Sequence, residues 1–179
     1  SDYEFDPASI DRDFNSPSFD LPSGNSPGAV LWIREYADGR LLVGGHWDDV
    51  NGTATPSIIR LLPDGTVDST FLVNLPNNGR VQHDGYLLPD TKAYVTFGFT
   101  NLPGGIEVYL VRLNEDGSID QSFSQVTADR SILTFDVDSN GNIVIGGTFG
   151  RVNGQIRAGV ASILPGGTLE HSFDTGFPE

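Results

Sequence analysis

Several polar groups in this 179-residue chain have the types and spacing of reactive or ligand-holding sites. Asp136-x-Asp138-x-Asn140-Gly141 carries the alternating oxygens and turn glycine with which a calcium loop wraps a hard cation. Such a loop closes with an acid at its twelfth position, where Gly147 stands, so a hairpin turn over Ser139-Asn140-Gly141 is expected and no metal site. The adjacent carboxylates Asp48 and Asp49 invite a glycosidase reading, but that chemistry needs two acids facing each other across a sugar bond. Gly24-Asn25-Ser26-Pro27-Gly28 matches a hydrolase nucleophile elbow in form only, because a Pro- and Ser-rich connection lacks the strand and helix that aim the serine. His46, His83 and His171 fall at three different positions of a repeat and show no zinc-ligand spacing. No catalytic residue and no cofactor is expected.

Two further sets need weighing. Asp11, Asp68, Asp120 and Glu170 recur two residues after a turn and three before a Phe. A short acid there can accept backbone N–H bonds, with Arg60 and Arg112 as pairing partners and Ser162 in the corresponding place. Trp32, Arg34 and Tyr36 share one strand face, and Trp32 aligns with Asp84 and Thr134, so no packing rule common to the repeats demands an indole. These three are the candidate ligand-binding residues, an aromatic patch able to stack on a sugar or a protein surface. Trp47, aligned with Phe99 and Phe149, is expected in the core.

The elements that would position these residues are themselves repeated. Ile58 to Phe71 recurs after a shift of 52, which lays Arg60 on Arg112, Asp64 on Asp116, Gly65 on Gly117, Asp68 on Asp120 and Phe71 on Phe123. A shift of 102 lays Pro63 on Pro165, Gly65 on Gly167 and Phe71 on Phe173, and Ile10-Asp11 to Phe14 matches the end of the same stretch. Within repeat one, Leu31 and Ile33 alternate with Trp32 and Arg34, then Asp38-Gly39 turns into the strand Arg40 to Trp47. Asp48 to Pro56 reads as a loop, Ser57 to Leu62 as the third strand and Val67 to Leu72 as a short fourth. Repeat two has Thr96-Phe97 in place of Gly44-Gly45, and repeat three restores the pair as Gly146-Gly147. The units run 1–29 (the tail of a preceding repeat and its connection), 30–79, 80–131 and 132–179. A period near 50 built of short strands predicts an all-β, β-propeller-like array of four-stranded antiparallel blades.

Leu41-Leu42-Val43-Gly44-Gly45, Val50-Asn51-Gly52 and Ile59 to Phe71 together resemble the bacterial delta-60 repeat family. The resemblance covers about residues 30–173 and the fragment 5–14. It implies β-propeller-like repeats in tandem arrays of large secreted or surface proteins, and no active site to carry over.

A net charge of −14, from 24 acids against 10 Lys and Arg, opposes nucleic acid and anionic membranes. No apolar run reaches transmembrane length, so no membrane insertion is expected, and the absence of cysteine removes disulfides and thiolate chemistry. The expectation is a non-catalytic extracellular or cell-surface interaction module whose partners are other repeats or copies of itself. The alternative is a glycan-binding module using exposed aromatics. The unfinished repeat at the N-terminus predicts that the chain assembles with copies of itself or belongs to a longer array.

Overall fold

The computed structural model describes residues 13–21, 27–75, 80–102 and 105–173, and all regular structure in them is β-strand. Repeat one holds β1 (Phe19–Asp20) in its leading connection, then β2 (Ala29–Glu35), β3 (Leu41–His46), β4 (Asp49–Val50), β5 (Thr53–Ala54) and β6 (Ile58–Leu61). Repeat two holds β7 (Arg80–Leu87), β8 (Ala93–Leu102) and β9 (Gly105–Leu113). The end of repeat two adds β10 (Val126–Ala128), and repeat three holds β11 (Ile132–Val137), β12 (Ile143–Gly147), β13 (Arg151–Val152), β14 (Gln155–Ile156) and β15 (Val160–Ile163).

The three repeats share one antiparallel plan, down to register. Val43 faces Ile59 across β3 and β6, Val95 faces Val111 across β8 and β9, and Ile145 faces Ala161 across β12 and β15. These are equivalent residues in the sequence alignment, so the repeat is structural as well as textual. The turn glycines supply the chain reversals: Gly39, Gly65, Gly117, Gly141 and Gly167 all have φ between 83° and 90°, where a Cβ would be strained. Repeat two lacks a glycine at the first of these turns and holds Thr91 there at φ 69°.

Two expectations about the strands need correction. Each repeat pairs three main strands and not four, β2-β3-β6, β7-β8-β9 and β11-β12-β15, the fourth being reduced to a single bridge, Leu61 to Val67, Leu113 to Ile119 and Ile163 to Leu169; the middle set is extended through β10, β13 and β14 into a six-stranded sheet. After Val67 the chain cannot continue the ladder, because Asp68 turns its carboxylate onto the amide N–H of Thr70 at 2.9 Å and bends the backbone away toward the next repeat. The stretch 48–56 is not a loop either. Asn51 (φ 53°) and Gly52 (φ 75°) form a tight turn joining β4 to β5, and Asn153-Gly154 repeats it between β13 and β14. Positive φ at both central residues is what an Asn-Gly hairpin requires.

Packing follows from alternation along each strand. Leu42 and Ile58 point from one face of repeat one into a cluster with Val81, Val95, Phe97, Val111 and Leu113 of repeat two. Val43, Ile59 and Leu61 point the other way, into a cluster with Trp47 that Phe14 and Phe19 of the N-terminal segment help to cover. Repeat two meets repeat three through Tyr94, Val108 and Leu110 against Ile143, Ile145 and Ile163. The first strands of the repeats lie together, β7 packing against both β2 and β11. Trp47 and Phe149 are buried at equivalent positions, as expected of a core aromatic. Phe71 and Phe123 are buried as well, whereas Phe173 is only half-buried because no further repeat lies against it among the described residues.

Candidate functional site

Two features combine side chains from more than one repeat: a cleft between repeats one and two, and the joints that hold each repeat to the next. The cleft lies between the β2–β3 turn and the β7–β8 turn. Its volume is about 550 Å³, and Arg34, Tyr36, Arg40, Tyr86, Leu88 and Pro89 contribute to its walls.

Of the three predicted ligand-binding residues, Arg34 and Tyr36 line this cleft and Trp32 does not. The expected exposed aromatic patch is absent: Trp32 and Tyr36 are 5% and 4% exposed, and the other face of β2 carries the exposed Leu31 and Ile33. Glycines make the difference. A Cβ at Gly44 would stand 2.2 Å from the Trp32 indole and one at Gly85 2.7 Å from it, so the ring occupies a slot that only two bare backbones leave open. β2 is apolar on both faces, and the slot decides which face turns inward.

The arginines around the cleft are already paired. Arg34 donates to Asp84 at 2.7 Å and to the Ile33 carbonyl at 2.8 Å. Arg40 donates to Asp38 at 2.7 Å and to Glu115 at 3.0 Å, and its guanidinium lies 4.9 Å over the Tyr36 ring. Burial pushes the Tyr36 hydroxyl above its usual pKa, against the pull of Arg60.

The joints are more regular. The residue after each repeat phenylalanine donates its backbone N–H to the carbonyl of a turn in the following repeat: Asn15 to Asp64 at 2.7 Å, Leu72 to Asp116 at 2.9 Å, and Ser124 to Gly166 at 2.8 Å. The glycine beside each acceptor permits the approach, since a Cβ at Gly65, Gly117 or Gly167 would meet that donor's backbone at 2.5, 2.9 or 2.0 Å. A second contact recurs beside it. Asn51 and Asn153 each accept a backbone N–H with the side chain and donate one with the main chain, to Ser18 and Thr127 respectively. These asparagines and the post-phenylalanine residues were missed by sequence reasoning, although the recurring Val-Asn-Gly was the available signal.

An arginine arm reinforces two of the joints. Arg60 pairs with Asp68 at 2.7 Å, both buried, lies 4.9 Å over Phe71 and reaches the Glu115 carbonyl of repeat two at 2.6 Å. Arg112 pairs with Asp120 at 2.8 Å, lies 5.3 Å over Phe123 and reaches the Pro165 carbonyl of repeat three at 3.3 Å. Asp120 also accepts from Lys92, and that bond, with the Ser122 hydroxyl next, holds its carboxyl far below the usual range. In repeat three Ser162 donates to Glu170 at 2.7 Å, the longer acid making up for the shorter partner. The recurring acids therefore serve the fold, as expected; Asp11 lies outside the described residues.

The remaining candidates take structural places. Asp138 accepts the N–H groups of Asn140 and Asn142, both at 2.8 Å, which makes the 138–142 stretch a side-chain-closed hairpin turn with Gly141 at φ 83°. Asp49 accepts the Gly52 N–H at 3.0 Å. His46 meets the Val81 carbonyl at 2.9 Å and His171 is exposed. The side chain of His83 lies outside the described residues, as does most of the stretch 24–28.

A family described as a domain of unknown function (DUF5122) beta-propeller matches residues 37–71, 99–123 and 139–173, together just over half of the chain. The chain belongs to that family. Each DUF5122 match ends on a repeat phenylalanine, Phe71, Phe123 or Phe173, the residue from which the joint departs. The middle match begins only after Thr96-Phe97, where repeat two departs from its neighbours. No curated protein and no solved structure matches the chain.

Proposed function

We propose that this DUF5122 chain is a non-catalytic interaction module of an extracellular or cell-surface protein, built to dock repeats on repeats, whether of its own array or of further copies. The delta-60 resemblance of its Gly-Gly, Val-Asn-Gly and Pro-Asp-Gly stretches supports the location and the tandem arrangement. The observation that carries the reading is the joint itself. The same backbone bond and glycine approach occur three times, and in one of them the donor is the N-terminal segment and not a whole repeat. The carboxylates and guanidiniums of the joints are used in holding repeats together, which is the chemistry of an assembly scaffold.

Sedimentation of the chain from low to high micromolar concentration tests the reading. A mass that rises with concentration is the expected result, and a constant 19.2 kDa would count against it. The cleft supports a second reading, a glycan-binding module, because Arg34, Tyr36 and Tyr86 bring hydrogen-bonding and aromatic groups to a concave wall. Binding on a glycan array, lost in Tyr86→Ala, would favour that reading over the first.

A further inference from the structure

We infer that the hairpin of β13 and β14 in repeat three docks an acidic segment of a partner protein, whose carboxylates pair with Arg151 and Arg157 while its backbone lies along the free edge of β14. The joint at this hairpin is made on the other side, through β13 and Asn153 to β10. The inference therefore goes beyond the docking of repeat on repeat.

The charge pattern singles the hairpin out. Arg34, Arg40, Arg60, Lys92 and Arg112 all sit in ion pairs, as befits cations outnumbered by acids. Arg130, Arg151 and Arg157 have no acid within ion-pair distance among the described residues. They stand close together nonetheless. Arg157 donates its backbone N–H to the Gly150 carbonyl at 2.9 Å, and Arg130 runs past Gly150 on the other side, between the Asp129–Arg151 and Ser131–Thr148 backbone bonds. Asp129 is committed to the backbone, one oxygen accepting the N–H groups of Gly150 and Arg151 at 2.8 and 3.0 Å. Each hairpin guanidinium is steadied through one nitrogen, Arg151 on the Gly154 carbonyl at 3.0 Å and Arg157 on the Ile156 carbonyl at 2.7 Å. The other edge of each fork is left over. The Arg157 Nε is buried and meets no acceptor among the described residues, so a charged donor stays unsatisfied in the free chain. A carboxylate matches a guanidinium edge with two parallel hydrogen bonds.

The fold itself does not ask for these residues. Repeat one builds the same hairpin, Asp49 facing Ala54 as Arg151 faces Ile156, and has Asp49, Ala54 and Thr55 where repeat three has Arg151, Ile156 and Arg157. An acidic edge has become a basic one with an apolar step, Ile156 being 47% exposed. β14 is the outermost strand of its sheet, and an extended peptide pairs with such an edge through its backbone while alternate side chains meet the flanking ones. That edge assigns a protein segment and not an acidic sugar, which has no strand to add.

NMR titration of the intact chain with acetyl-Glu-Val-Asp-Val-Glu-amide tests the inference. Amide shifts should saturate and centre on residues 150–157. The uncharged acetyl-Gln-Val-Asn-Val-Gln-amide should bind at least about tenfold more weakly for want of charge-assisted bonds, and trigalacturonic acid more weakly for want of a strand. Arg151→Gln/Arg157→Thr, which gives residue 157 its repeat-one identity, should weaken the acidic peptide about tenfold at an unchanged thermal midpoint; the two peptides on the unaltered chain decide the case even where that variant loses stability. Equal binding of the two peptides, an affinity that the folded double variant leaves unaltered, or no saturable shift at 150–157 would overturn the inference. Tighter binding of trigalacturonic acid would overturn the assignment to a protein partner. Sedimentation reads self-docking separately, so that reading and this one can fail independently.

Discussion

Repeats one and three share strand plan and register, yet differ in the face each turns toward the next repeat. Repeat one presents Trp32, Arg60, Asp68 and Phe71, all buried against repeat two, while repeat three has Thr134, Ser162, Glu170 and a half-buried Phe173 in the same places. The backbone frame is therefore held by the turns and by Asp138, Asp64 and their equivalents, which need no neighbour, and the faces are free to vary with what covers them. A buried Arg–Asp pair with an aromatic lid suits a covered face. A Ser–Glu hydrogen bond suits one that meets water.

The largest expected separation between the two faces comes from their phenylalanines. Phe71→Ala should cost about 3–5 kcal/mol as a large-to-small core change, and Phe173→Ala about 1 kcal/mol or less. Urea denaturation of both variants measures the difference, and equal losses would show that the two faces are equivalent in the folded chain. The Gly pair sharpens the contrast. Gly44→Ala drives a methyl into the Trp32 indole and should cost about 1–3 kcal/mol, whereas a methyl at Gly146 has its nearest neighbour, Thr134, at 3.5 Å and should be tolerated.

Repeat two extends the comparison to a turn. Its Thr91 holds a positive φ that repeats one and three assign to Gly39 and Gly141, so Thr91→Gly should stabilise the chain by about 1 kcal/mol, read as a rise in the thermal midpoint. Asp120 gives the smallest effect. Its depressed pKa means that its contribution is complete above the ordinary carboxylate range and is lost as the pH falls from that range down through the depressed value. Lys92→Met should remove about 0.5–1 kcal/mol at neutral pH and flatten the acid limb of the stability profile, read by thermal unfolding from neutral to acid pH.

Local chemistry was legible in the sequence wherever one residue type solves one backbone problem. Gly39, Gly65, Gly117, Gly141 and Gly167 all take the positive φ that their turns demand, and Arg60 and Arg112 find the acids eight residues on. The burial of β2 was not legible, because Leu31 and Ile33 on one face and Trp32 on the other satisfy period two equally well. The choice depends on Gly85, which is distant in sequence and belongs to another repeat. For the same reason the candidate site changed character. Arg34 and Tyr36 were placed correctly on a shared face, but the strand that closes the cleft over them was set by tertiary packing. The hairpin at Asn51-Gly52 was within reach of the sequence and was obscured by the brevity of β4 and β5, two residues each.

The joints also impose an order on synthesis. Each tail bonds to a turn that follows it in the chain, Asn15 to Asp64, Leu72 to Asp116 and Ser124 to Gly166, so a repeat emerging from the ribosome has nothing to fasten to until most of the next has been made. At every stage of translation after the first, one phenylalanine and the sheet behind it stand waiting for a partner still unsynthesised. Of the three tails the N-terminal segment is the first to be satisfied, closing over repeat one as soon as the turn at Asp64 and Gly65 has been made.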